Sequence, residues 1–280
     1  MNNFPKLGRV SYVNCLPIFH PIETGCINIP ANLISCPPAE LNLMFEQGQL
    51  DITAISSIEY ARFHQQAFIL PQLSISSHGE VGSVCLISKV PVHKLNGAPV
   101  FLTAESATSA ALLQILFNEY YRVKPQFLKS GKGLDEMLAL AEGALVIGDK
   151  ALTAVQNKKG LYIYDLGQEW LEFSGYKMVF ALWVVRQSYV KNHREQVVRV
   201  WKSMLKAKSI SQQNLKPIIT AAAKETGLSP RRLKHYFQNQ LNYDLTGDHL
   251  EGLQHFYNLS FKNALLPESV KINLWGENIA

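Results

Sequence analysis

Two successive series of short apolar runs, each alternating with segments of helical spacing, constrain the fold of this 280-residue chain most strongly. Predicted strands of the first series lie at residues 32–36, 51–56 and 81–88, and those of the second, which begins near Pro91, lie at 99–103, 126–129 and 144–148. Helical segments separate them, for example at residues 57–63 and 106–121. Strands and helices that alternate in this way are typical of parallel α/β sheets.

The order of the segments predicts two lobes. After the second series, an apolar run at residues 178–185 is long enough to return to the first lobe, and the rest of the chain has helical spacing. We therefore expect lobe one to comprise residues 1–88 and 182–280, including a helical C-terminal tail, and lobe two to comprise residues 89–181. Two crossings make a hinge, and a ligand cleft is expected between the lobes.

Small polar residues follow several of the predicted strands, at the sheet edge where ligands of open α/β folds bind. Candidate ligand-binding residues at these positions are Ser11, Asn14, Ser56, Ser83, Ser106, Thr108, Ser109 and Asp149. The start of the helix at Ser106 is the best candidate site for a carboxylate, because free N–H groups and the helix dipole favour an anion there. Ordinary helix capping remains an alternative explanation for Asn14, Ser106 and Asp149.

Composition indicates a globular protein with no recognisable export or membrane segment. The chain is 47% hydrophobic and 18% charged, and we predict no signal peptide in residues 1–10 and no membrane span. The four cysteines form no CxxC and no zinc spacing, which favours reduced thiols in the cytosol. A net charge of +5 permits an anionic ligand and does not demand nucleic acid.

Common catalytic signatures are missing from the sequence. It has no GxSxG elbow, no HExxH and no GxGxxG, and the phosphate-like segment at residues 130–133 lacks the first glycine of a P-loop because Gln126 stands there. Residues 221–241 resemble a helix-turn-helix, with Gly227 at the turn and Arg231, Arg232 and Lys234 available to phosphates. A helix pair that packs on lobe one explains this segment equally well.

Several stretches, which occur in the same order along the chain, resemble the chorismate dehydratase family of the futalosine route to menaquinone. They are residues 10–17 (Val-Ser-Tyr-Val-Asn-Cys-Leu-Pro), 79–83 (Gly-Glu-Val-Gly-Ser), 106–109 (Ser-Ala-Thr-Ser), 147–152 (Ile-Gly-Asp-Lys-Ala-Leu), 165–170 (Asp-Leu-Gly-Gln-Glu-Trp) and 179–183 (Val-Phe-Ala-Leu-Trp). The tail, at residues 243–256, is also similar. The resemblance covers essentially the whole chain.

The resemblance implies a type II periplasmic-binding-protein fold and loss of water from chorismate, without a metal or organic cofactor. By motif position, the family's active-site asparagine and serine fall on Asn14 and Ser83, and its small polar helix start falls on Ser106, Thr108 and Ser109. Two departures concern substrate choice. Ala107 stands where related sequences often have arginine, and Ser-Gly-Tyr-Lys-Met at residues 174–178 replaces a more usual Thr-Gly-Leu-Pro-Phe.

The identity of the base is open at this stage, because Asn, Ser and Thr are not competent bases near neutral pH. One hypothesis is that the enolpyruvyl carboxylate of chorismate takes the proton itself. The competing hypothesis is an enzyme base, with Asp149 first and then Glu80 or His78. Alternative functions are a solute-binding protein of the same fold and an enzyme like 1,4-dihydroxy-6-naphthoate synthase; oligomeric state is not predicted.

Overall fold

The computed structural model describes residues 4–157 and 160–276, and their strands form two five-stranded sheets. The strands are β1 (Lys6–Val10), β2 (Asn32–Cys36), β3 (Ile52–Ser56), β4 (Ala67–Ser77), β5 (Val84–Ser88), β6 (Pro99–Thr103), β7 (Gln126–Ser130), β8 (Gly143–Ile147), β9 (Tyr162–Asp165) and β10 (Met178–Arg186). The first sheet has the order β2-β1-β3-β10-β4 and the second β7-β6-β8-β5-β9. Residues 1–3, 158–159 and 277–280, which the predicted lobe ranges include, lie outside the described residues.

Helices connect the strands and form the C-terminal tail, as the sequence predicts. They are α1 (Leu16–Glu23), α2 (Pro38–Glu46), α3 (Ser57–Phe63), α4 (Ala107–Ile115), α5 (Leu134–Leu140), α6 (Gly148–Asn157), α7 (Leu166–Ser174), α8 (Gln187–Gln213), α9 (Lys216–Thr226), α10 (Pro230–His235) and α11 (Gly247–Lys262). A 3-10 turn (Val13–Cys15) precedes α1, and π-helical turns (Leu116–Tyr121 and Tyr236–Gln240) extend α4 and α10. No helix within residues 4–157 and 160–276 has both the length and the apolar character needed to cross a bilayer.

Both sheets are mixed, which corrects the prediction of parallel strands. Strands β1, β2 and β3 run parallel, as do β6, β7 and β8, but β10 is antiparallel to β3 and β4, and β5 is antiparallel to β8 and β9. The reason is topological. Strands β5 and β10 enter from the other sheet, at the edge where the parallel strands end, so they must run back against their neighbours.

The two crossings lie at residues 78–83 and 175–177, rather than at the predicted boundaries 88/89 and 181/182. All of β5 pairs within the second sheet, although residues 84–88 were expected in lobe one, and all of β10 pairs within the first. Hydrophobicity could not mark these crossings, because the apolar runs are whole buried strands. Gly79, Gly82 and Gly175 lie in these crossings and have positive φ, which other residues rarely adopt.

Helix α8 supplies hydrogen bonds at an interruption in β4. Pro71 has no N–H for the ladder, and Gln72 has a φ of 65°. The indole N–H of Trp201 donates to the Pro71 carbonyl at 2.9 Å, and the buried Lys208 ammonium donates to the Gln72 carbonyl at 2.6 Å. The tail therefore supplies the bonds that the sheet lacks at this point.

Helix α11 lies against the second crossing at Gly252. A Cβ atom built there would be 2.2 Å from the carbonyl oxygen of Lys177, a backbone atom that cannot move independently. We expect Gly252→Ala to lower the free energy of unfolding by about 2 kcal/mol, which is typical of overpacking. Gly247→Ala is the matched control, since it lies on the same helix with open space around its Cβ position.

Urea unfolding of both variants tests this packing. The control is expected to equal or slightly exceed the wild-type stability, because alanine is the better helix former. Equal stability of the Gly252→Ala and Gly247→Ala proteins would contradict the close approach of α11 to the crossing.

Candidate active site

A cavity of about 650 Å³, counted with the space open to solvent, lies where residues of both sheets meet. Its walls are largely apolar and include Val10, Ile55, Val81, Ile147 and Phe180. Largely apolar walls with a few polar groups are typical of a small-molecule site. Of the described residues that line it, Glu105 carries the charge, so other polar contacts with a ligand must come from neutral groups.

The structure brings five of the sequence-predicted residues to this cavity. They are Asn14, Ser56, Ser83, Ser106 and Ser109. The first three come from the 3-10 turn after β1, the end of β3 and the first crossing, and the last two come from the start of α4. Residues up to 95 positions apart in the chain therefore share one pocket, as expected for strand and helix ends that face a common edge.

Three predicted residues do not line the cavity. The side chain of Ser11 is exposed. Thr108 is fully buried, and its hydroxyl accepts a hydrogen bond from the Ile58 amide at 3.1 Å. Asp149 accepts a bond from the Val13 amide at 3.4 Å. Thr108 thus connects α4 to α3, and Asp149 connects α6 to the 3-10 turn after β1.

Asn14 lies in the 3-10 turn that follows β1, and its side-chain oxygen is available to accept a hydrogen bond. The Oδ1 atom is buried and has no hydrogen bond within the described residues. The backbone of Asn14 is held, because its carbonyl accepts a bond from the Tyr243 hydroxyl at 2.9 Å. A buried acceptor without a partner is costly, so a ligand that donates to Asn14 would remove that cost.

Ser83 lies at the end of the first crossing, and contacts from three directions fix it. Asp165 accepts bonds from the Val81 and Gly82 amides at 3.0 and 2.6 Å, which sets the loop. The Ser83 carbonyl accepts a bond from the Gly148 amide at 2.8 Å. Its hydroxyl oxygen accepts a bond from the Tyr236 hydroxyl at 3.0 Å, and both side chains are buried.

The start of α4 has the capping structure that the sequence suggested. The Ser106 hydroxyl oxygen accepts a bond from the Ser109 amide at 3.2 Å and lies 2.9 Å from the Ser109 hydroxyl oxygen. Ser106 therefore caps the N-terminus of α4. Both serines nevertheless line the cavity, so their capping role and the proposed anion role concern the same residues.

Sequence reasoning missed Tyr12 and Glu105, which join the two sides of the cavity. The Tyr12 hydroxyl donates to Glu105 at 2.7 Å, and the Lys150 ammonium donates to the other Glu105 oxygen at 2.6 Å. Burial opposes ionisation of Glu105, but these two donors outweigh it and lower its pKa. Tyr12 lies within the stretch at residues 10–17 and Glu105 precedes the stretch at 106–109, yet no local pattern links positions 12 and 105.

The candidate bases lie outside the cavity lining. His78 and Glu80 are exposed, and a Glu80 oxygen accepts a bond from the Gln240 amide at 3.2 Å. Burial raises the pKa of Asp149 to about 6, although the Val13 amide opposes the shift and Glu225 adds to it. Among the described residues, no three His, Cys, Asp or Glu side chains are grouped as metal ligands would be.

The raised pKa of Asp149 predicts a specific pH dependence of stability. The folded protein holds this proton more tightly than the unfolded chain, whose aspartate pKa is 3.8. The carboxylate therefore costs stability above about pH 6, and this cost is lost as the pH falls from about 6 towards 3.8. Relative to Asp149→Asn, the wild type should gain on the order of 1 kcal/mol between pH 7.5 and pH 5.

Urea unfolding of wild type and Asp149→Asn at the two pH values measures this difference directly. The subtraction removes every titrating group that the two proteins share. Parallel pH profiles of the two proteins would show that Asp149 keeps an ordinary pKa in the folded state.

Comparisons with known proteins place the molecule in a family. Residues 5–262 match the model of a family described as menaquinone biosynthesis. The chorismate dehydratase of Thermus thermophilus is 28% identical over 280 residues, with 94% of this chain and 98% of the relative covered.

Solved structures share the fold. Protein AF1704 from Archaeoglobus fulgidus aligns with a TM-score of 0.78 and 16% identity, over 94% of this chain and 98% of that one. The periplasmic aliphatic sulphonate binding protein SsuA from Escherichia coli aligns with a TM-score of 0.69 and 13% identity, over 99% and 95%. These alignments confirm the periplasmic-binding-protein fold, and the match over residues 5–262 shows that the chain belongs to the menaquinone biosynthesis family.

Proposed function

We propose that this protein is a chorismate dehydratase that converts chorismate to 3-[(1-carboxyvinyl)oxy]benzoate in the futalosine pathway. The reaction removes the proton on C3 and the hydroxyl on C4 as water, and the new C3–C4 double bond completes a benzene ring. Aromatisation supplies much of the driving force. The site must hold two carboxylates, accept one proton and assist the departure of hydroxide.

One observation carries the proposal: Asn14 and Ser83, on separate loops, face the same largely apolar cavity. The identity of 28% to the Thermus enzyme over nearly the whole chain supports the same assignment. The walls suit an uncharged ring, and the Asn14 amide and Ser83 hydroxyl can hold substrate oxygen atoms and stabilise the leaving hydroxide.

We assign one substrate carboxylate to the start of α4. Ser106 and Ser109 line the cavity there, beside the N–H groups of the first helical turn. The Tyr12–Glu105, Ile58–Thr108 and Val13–Asp149 contacts join elements of the two sheets. We infer that these contacts hold the two sheets together around a bound substrate.

Incubation of the purified protein with chorismate tests the function. We expect 3-[(1-carboxyvinyl)oxy]benzoate to accumulate at the same rate with and without a chelator. Loss of activity on chelation, restored by added metal, would contradict the cofactor-free mechanism. Binding without turnover would indicate a solute-binding protein, and turnover of a cyclised futalosine derivative alone would indicate the naphthoate synthase reaction.

The four free thiols favour a reducing compartment, and we place the reaction in the cytosol.

Substitution of the proposed catalytic pair gives a quantitative test. We expect Asn14→Ala and Ser83→Ala each to lower kcat by about 100-fold or more, because each removes a hydrogen bond to the transition state. Asn258→Ala, an exposed position on α11, is the control and should keep wild-type turnover. Near-normal turnover of folded Asn14→Ala would refute its catalytic role.

The positions of the acidic residues favour the substrate as its own base. Asp149, Glu80 and His78 do not line the cavity. Glu105 does, but the Tyr12 hydroxyl and the Lys150 ammonium each donate to one of its two oxygens, so the enolpyruvyl carboxylate is the better placed acceptor for the C3 proton. We expect single-turnover rates of Asp149→Asn, Glu80→Gln and His78→Gln to fall by less than about 10-fold, since none then transfers the proton. A folded variant whose chemical step falls by several orders of magnitude would identify an enzyme base instead.

A further inference from the structure

The Ser83 hydroxyl receives a hydrogen bond from a residue of the C-terminal tail. The Tyr236 hydroxyl donates to the Ser83 oxygen at 3.0 Å, although the two residues are 153 positions apart. Tyr236 is fully buried, and Ser83 is 3% exposed. Water therefore does not compete for this bond.

Other contacts fix the Ser83 backbone but leave its hydroxyl direction unset. Asp165 holds the preceding loop, and the Gly148 amide binds the Ser83 carbonyl. A serine side chain on a fixed backbone still has three staggered rotamers and a rotating O–H. Among the described residues, Tyr236 supplies the hydrogen bond to the Ser83 hydroxyl oxygen.

We propose that Tyr236 is a positioning residue, which holds the Ser83 hydroxyl with its proton directed at the leaving oxygen. This role rests on the proposed function of Ser83. Because the phenol donates to one lone pair of the serine oxygen, the serine O–H remains free to donate a hydrogen bond into the cavity. A donor bound to the oxygen also polarises the serine O–H and strengthens that donation.

The surroundings of Tyr236 keep it in the donor state. Burial raises the pKa of its phenol above the ordinary value, so it remains protonated at neutral pH. The Arg232 guanidinium lies 5.8 Å from the centre of its ring and donates to Gln240 at 2.6 Å. The segment that resembled a helix-turn-helix thus forms part of the wall behind Ser83.

A double-mutant cycle tests the proposal with chorismate as substrate. Tyr236→Phe keeps the ring and removes the hydroxyl, and we expect kcat to fall roughly 10-fold with KM changed by less than about 2-fold. In the Ser83→Ala background the same change should have almost no further effect, because its target is gone. Tyr60→Phe is the control: Tyr60 is equally buried, and its hydroxyl accepts a bond from the Asn273 amide, away from the cavity.

The outcomes separate the hypotheses. Equal losses from Tyr236→Phe in both backgrounds, or no loss in either, would overturn the positioning role. A wild-type protein inactive on chorismate would refute the proposed function. Full turnover of chorismate by Ser83→Ala would leave that function intact and refute the catalytic role of Ser83, and with it the positioning role of Tyr236. If Tyr236→Phe does not fold, 3-fluorotyrosine at position 236 replaces it. Its more acidic phenol keeps the donor, so kcat should equal or exceed the wild-type value, and a fall would overturn the proposal.

Discussion

The Asp165 carboxylate organises the junction on which the site depends. It accepts four backbone N–H bonds, from Val81 and Gly82 in the first crossing and from Gly167 and Gln168 at the start of α7, at 2.6 to 3.2 Å. Bonds to an ionised acceptor are stronger than neutral ones, and here one group ties two distant segments together. The loop that presents Ser83, the entry into β5 and the start of α7 are all fixed by this contact. Its burial raises the pKa of Asp165, while the four amides oppose that shift.

Local patterns predicted most elements well, and they failed where distant residues decide the structure. The helix at residues 57–63 and the strand at 32–36 appear with the predicted bounds, because the residue patterns that favour them act within a few residues. Strand β4 was not predicted, and Pro71 is a residue that strand interiors rarely hold. The interruption is tolerated because Trp201 and Lys208 donate hydrogen bonds to the freed carbonyls. No local pattern near residue 71 predicts those partners.

The same difference between local and distant contacts explains which site residues could be predicted from the sequence. Asn14 and Ser106 could be picked out because each lies beside a recognisable strand or helix, and Ser83 because it lies in a stretch that resembles the family. Tyr12 and Tyr236 could not, because each acquires its role from a partner at least 93 positions away, namely Glu105 and Ser83. A sequence pattern records which residues end the strands, but it does not record which side chains meet across the gap.

The strand order of the first sheet has a consequence for biosynthesis. Strand β10 lies between β3 and β4, yet the ribosome makes it about a hundred residues after β4, once the second sheet has been made. A nascent chain that ends before residue 178 holds β3 and β4 with no strand to join them, and unpaired edges of this kind promote aggregation. The second sheet can therefore form early as an inserted unit. The first sheet, and with it the pocket, is completed only when the late-made segment threads back between strands that were made long before.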